Sequence, residues 1–133
     1  MIVLDTSALV EFLVGTDEPA DAVRAVTAGE RIAAPHAVDL ECASAVRGLT
    51  RSGKLAGDEG LRALLLLGRL NLRRYEHAPL LPRIWELRHN MWPYDACYVA
   101  LAESLNATLI TIDRKLARVP GLRCTVNYLH EGS

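Results

Sequence analysis

Four carboxylates occupy positions where a folded chain has little ordinary use for negative charge. Asp5 ends the aliphatic run Ile2-Val3-Leu4, and Asp113 ends a second run, Ala107 to Ile112. An Asp between a strand and a helix commonly caps the helix, which accounts for either residue alone. Glu41 and Asp95 are harder to place. Glu41 lies at helical spacing from Val38 and Ala45, on the border of the stripe formed by Val38, Cys42, Ala45, Val46 and Leu49. Asp95 follows Pro93 in a first helical turn, where an acid suits the helix dipole. Yet Tyr98, Val99 and Ala102, at three, four and seven residues on, are inward types. Desolvating an unpaired carboxylate is costly, and no basic residue shares these stripes. A hard divalent cation, Mg²⁺ or Mn²⁺, neutralises such a set economically. Acidic clusters holding one or two such ions activate water and stabilise the leaving oxygen in phosphodiester hydrolysis. Zinc is disfavoured, because no Cys/His ligand spacing is present.

The elements that must position these side chains follow from periodicity and punctuation. Short apolar runs predict strands over 2–4, 31–34, 72–76, 107–112 and 122–126. Between them, a helix capped by Thr6 or Ser7 is predicted to about Leu13, then helices over 19–28, 36–51, 58–70, 79–90 and 93–105, with one turn over 114–118. Gly15, Gly29 and Gly53 punctuate the first three, and Pro120-Gly121 predicts a turn. Strands apolar on both faces and separated by helices predict a three-layer α/β/α sandwich around a mostly parallel sheet. In such sheets ligands bind beyond the carboxyl ends of the strands, which is where Asp5 and Asp113 stand.

Composition bounds the rest. The chain has 133 residues, half of them apolar, which predicts one domain over 1–133. Fifteen Lys and Arg against sixteen Asp and Glu give a net charge of −1, which by itself disfavours a nucleic-acid binder. Setting aside Asp5, Glu41, Asp95 and Asp113 reverses the balance and leaves an acidic pit in a mildly basic body. Met1 to Asp5 has no basic leader pattern, and no run approaches membrane-spanning length. Cys42, Cys97 and Cys124 form no paired motif and read as reduced thiols of a cytoplasmic protein.

The segments Ile2-Val3-Leu4-Asp5-Thr6-Ser7-Ala8-Leu9, Glu41 within its helix, Asp95-Ala96-Cys97-Tyr98-Val99-Ala100-Leu101-Ala102, and Leu109-Ile110-Thr111-Ile112-Asp113 with Leu116 resemble the PIN domain. More narrowly they resemble the VapC-type ribonuclease toxins of toxin–antitoxin pairs. The resemblance covers nearly the whole chain, in order. It implies a Rossmann-like sandwich, metal-dependent endoribonuclease activity, a homodimer and a small antitoxin partner. It also implies that Asp5, Glu41, Asp95 and Asp113 form the acidic quartet holding Mg²⁺ or Mn²⁺. Thr6 and Thr111 match polar residues beside that site.

An RNA-cleaving site needs phosphate contacts, and arginines outnumber lysines thirteen to two. Arg73, Arg74, Arg114 and Lys115 are the candidates, with Arg69 and Arg118 nearby. Asp39, on the polar flank of its helix, reads as solvated. Leu64 to Leu67 read as mostly core, with part free to line a dimer or antitoxin surface, as do Phe12 and Leu13. Trp85 and Trp92 read as core or interface residues, with base stacking the alternative. His36, His77, His89 and His130 read as surface or structural. A phosphatase of the haloacid-dehalogenase type needs an Asp where Ser7 stands, and a receiver domain needs an acidic pair and a late lysine. The remaining alternative is a PIN fold kept as a non-catalytic binding module.

Overall fold

The structure, a computed structural model, describes residues 1–130. Five strands, β1 (Ile2–Leu4), β2 (Ile32–Pro35), β3 (Leu72–Tyr75), β4 (Thr108–Thr111) and β5 (Val126–Tyr128), form one sheet in the order β3-β2-β1-β4-β5. Every pairing is parallel. β1 is central, and all three of its residues are buried, as a strand covered on both faces must be.

Helices α1 (Thr6–Val14), α2 (Glu18–Thr27), α3 (Val38–Arg51) and α4 (Gly57–Arg69) pack on one another. Helices α5 (Leu81–Glu86) and α6 (Pro93–Leu105) pack together, with α6 laid across β1, β2 and β4. A short helix α7 (Arg114–Ala117) follows β4. The expected three-layer α/β/α sandwich is thus the observed one. The strand order reverses between β1 and β4, so the topological switch point lies where Asp5 and Asp113 emerge.

Capping differs from expectation at the first helix. Asp5 itself, rather than Thr6 or Ser7, is the N-cap, accepting from the Ala8 backbone N–H at 2.9 Å. Asp17 and Asp113 cap α2 and α7 in the same way. Two further boundaries differ. The predicted helix over 79–90 is a 3₁₀ turn (Ala78–Leu80) followed by the short α5. Pro82 has no N–H to continue a helix opened at Pro79, so the helix restarts with proline in its first turn. The last strand is Val126–Tyr128 rather than 122–126. The Arg123 N–H donates to Glu103 Oε2 at 2.7 Å, and this holds the preceding segment on α6 instead of in the sheet.

One joint depends on the absence of a side chain. At the end of α1, a Cβ on Gly15 would lie 2.2 Å from Glu11 Oε2 and 2.6 Å from Ala20 Cβ. Across it the Arg24 guanidinium donates to the Gly15 and Phe12 carbonyls at 2.7 and 3.0 Å, closing α1 onto α2. Gly15→Ala is expected to cost about 1–3 kcal/mol through this overlap, read as a lower urea midpoint with an unchanged slope. An unchanged midpoint would show that the α1–α2 joint yields freely.

Candidate active site

Asp5 continues β1 by one residue: its N–H donates to the Ile110 carbonyl of β4 at 3.1 Å. This places its carboxylate over the switch point, where it is 5% exposed. Oδ1 accepts from Ser7 Oγ at 2.6 Å as well as from the Ala8 N–H. Oδ2 accepts from the Thr111 hydroxyl. Thr111, fully buried at the end of β4, in turn accepts the Asp113 N–H at 2.9 Å. The Ile112 N–H donates to Ser7 Oγ at 3.2 Å. A lattice of hydroxyls therefore fixes the two strand-end aspartates relative to each other. Asp113 caps α7 through Oδ1, which accepts from the Lys115 N–H at 2.9 Å.

Glu41 arrives from the first turn of α3 and Asp95 from the first turn of α6, both half-buried. Burial is the largest cause pushing the Asp5, Glu41 and Asp95 carboxyls above their ordinary values. Mutual repulsion adds to it. Asp95 raises both Asp5 and Glu41, Asp5 raises Glu41, and Asp113 raises Asp95. The four sequence-predicted acids therefore share one electrostatic neighbourhood. Hydroxyls, not cations, offset the cost. Ser7 and Thr111 hold Asp5 down, and the Tyr98 hydroxyl does so for Glu41. Glu41 Oε1 is buried without a hydrogen-bond partner, as is Glu11 Oε2 at the α1–α2 joint, away from these acids. Among the described residues no three His, Cys, Asp or Glu side chains close into a metal-holding group.

Thr6 and Tyr98 share a hydrogen bond of 2.8 Å beside the cluster. Tyr98 and Ser7 were not singled out from sequence as site residues. The available signals were Tyr98 one helical turn after Asp95 and a hydroxyl two residues after Asp5. The basic candidates divide. Lys115 joins Asp95 and Asp113 in lining a cavity of about 340 Å³. Arg114 lines a separate one with Arg118, Tyr128 and His130. Arg73 stacks over Tyr75 at 4.9 Å on edge strand β3, two strands from Asp5. Arg74 is corrected as a free phosphate contact, and Asp39 as a solvated acid. Arg74 Nε and Nη2 donate to the two Asp39 oxygens at 2.7 Å each, a bidentate pair joining β3 to α3. His36, His77, His89 and His130 are all exposed.

Residues 2–122 match the PIN domain family. The VapC ribonuclease of Mycobacterium bovis is 41% identical over 126 residues, covering 95% of this chain and 96% of its own length. Ribonuclease VapC1 of Mycobacterium tuberculosis is 38% identical over 125 residues, 93% of this chain and 94% of its own. The crystal structure of VapBC2 from Rickettsia felis, bound to a DNA fragment from their promoter, superposes with a TM-score of 0.68 at 21% identity. That match covers 98% of this chain and 100% of the Rickettsia chain. A parallel sandwich with acids at its switch point, matched over nearly all of its length, is a PIN-domain protein. Within that class, this chain belongs to the VapC family.

The raised carboxyls have a consequence for stability. A carboxyl whose folded pKa is raised stabilises the fold fully below its unfolded value, roughly pH 4, and that contribution is lost as pH rises through the raised value. Glu41→Gln is expected to make the metal-free protein more stable than wild type at pH 7, with the difference vanishing near pH 4. Urea unfolding of both proteins across that range is the measurement. A variant less stable at pH 7 would show that the Glu41 charge is compensated.

Proposed function

We propose that this chain is a Mg²⁺- or Mn²⁺-dependent endoribonuclease toxin of the cytoplasm, held in check by an antitoxin. The observation that carries the reading is the buried, unpartnered Glu41 Oε1 on a carboxylate that feels the charges of Asp5 and Asp95 and is offset by no side-chain cation among the described residues. The donor set is all oxygen, which fits a hard divalent ion. Asp5, Glu41 and Asp95 would hold it, and Asp113 would ligate a second ion or orient the attacking water. When bound, such an ion supplies Lewis acidity at the phosphate and at the attacking water.

The chain's own residues prepare that site. Ser7 and Thr111 donate to Asp5, which favours its charged form against burial and fixes it at the end of β1. Lys115 stands beside Asp95 and Asp113, where an ammonium would meet an incoming phosphate. The exposed histidines have no part in this arrangement. The ribonuclease names of the mycobacterial relatives support RNA as the substrate. The Rickettsia neighbour, a VapBC2 assembly, supports an antitoxin partner. Within the leucine run of α4, Leu67 is buried while Leu65 and Leu66 are exposed, as are Leu61 and Leu40. They offer an apolar surface to an antitoxin or to a second copy in a homodimer. No helix among the described residues is long and apolar enough to cross a membrane, and the three cysteines are unpaired.

Purified protein is expected to cleave single-stranded RNA with Mg²⁺ or Mn²⁺ and to stop when the ion is chelated. Asp5→Asn should abolish cleavage with its fold intact, because Asn also caps a helix. Cleavage by Asp5→Asn at the wild-type rate, or in chelator, would overturn the reading.

A further inference from the structure

The two tryptophans of the chain flank the connection from α5 to α6, Trp85 on α5 and Trp92 at the cap of α6, and both are exposed, at 66% and 76%. Of the readings open from sequence, core packing is excluded by this exposure, and interface packing or base stacking is left. They line one cavity of about 490 Å³ together with Arg88, His89 and Met91. The Arg88 guanidinium lies 4.5 Å from the centre of the Trp85 ring, fixed by a 2.9 Å hydrogen bond from Nη1 to the Trp85 carbonyl. Among the described residues none that lines the cavity is acidic. Asn90, Met91 and Trp92 also line the adjoining cavity that contains Asp95, Asp113 and Lys115. One continuous surface thus runs from the carboxylates to the aromatic rings.

We propose that this surface is a stacking subsite for unpaired bases of the RNA, next to the bond that is cut. This rests on the ribonuclease reading of the carboxylates. Base faces stack on exposed indoles and on guanidinium planes, and stacking is available only where bases are unpaired. Trp92 touches both cavities and takes the base nearest the carboxylates. Trp85, with Arg88 stacked on it, takes one further along the strand. The cationic, acid-free lining suits the flanking phosphates. Duplex RNA, whose bases are already stacked, is excluded.

Because Trp85 and Trp92 are the only tryptophans, intrinsic indole fluorescence reports on this subsite alone. The experiment titrates the non-cleaving Asp5→Asn protein with a short single-stranded oligoribonucleotide, its duplex, and an abasic oligomer of equal charge. The expected result is quenching by the single strand only. Trp92→Ala should weaken its affinity by ~10-fold or more, and Trp92→Phe should restore most of it. In the cleaving protein, Trp92→Ala should raise KM more than it lowers kcat. Both rings are exposed, so thermal melts should match the parent.

Equal binding of the abasic oligomer, or wild-type affinity in Trp92→Ala, would overturn the subsite. So would a change in oligomeric state with RNA affinity unchanged, which would make this face a protein interface. The two readings fail separately. If the cleaving protein cuts RNA and Trp92→Ala leaves KM unchanged, the subsite fails and the nuclease stands. If base-dependent quenching occurs but no metal supports cleavage, the nuclease reading fails.

Discussion

The molecule is organised around a carboxylate buried at the end of its central strand. Asp5 is almost wholly removed from water, Asp95 raises both it and Glu41, and Asp113 raises Asp95. A fold tolerates such a cost only when the arrangement is otherwise rigid. Here the rigidity comes from β1 and β4, whose register sets Leu4 beside Ile110 and so Asp5 beside Thr111. Ser7 reaches both strand ends, bonding the Asp5 carboxylate and the Ile112 N–H. The helix cap, the sheet edge and the site are therefore the same few atoms.

The ordinary structural explanation for Asp5 and Asp113 is correct and incomplete. Both cap helices. A cap needs one oxygen, however, and Asp5 uses both, the second bonded by a buried threonine from another strand. Glu41 and Asp95 have no such explanation, since neither bonds to its own helix end and both lie in the neighbourhood of Asp5. The Asp39–Arg74 pair offers a contrast on the same helix. There a fork of hydrogen bonds satisfies the acid two residues before Glu41, while Glu41 is left with an empty oxygen.

Much of this was legible in sequence because it is local. Apolar runs ending in Asp mark β1 and β4, and Pro93 marks the start of α6, which ends at Asn106 in the left-handed conformation. What was not legible depends on distant partners. Arg74 reads as a free cation until β3 is seen beside α3. The segment after Gly121 reads as a strand until Glu103 is seen to hold it. Trp85 and Trp92 read as core or interface residues, and sequence alone does not decide between these and base stacking. Trp85 faces out from the short α5, and Trp92 caps α6 at the end of an irregular connection that no periodicity marks.

Under the proposed function the buried acids would bind a divalent ion. Carboxyls raised by burial and repulsion give up protons when a cation neutralises them. Calorimetric titration of the protein with Mn²⁺ at mildly acid pH, in two buffers of different ionisation enthalpy, measures that release directly. The account predicts saturable binding with net proton release, both lost in Glu41→Gln. Binding without proton release, or binding that survives in Glu41→Gln, would contradict it.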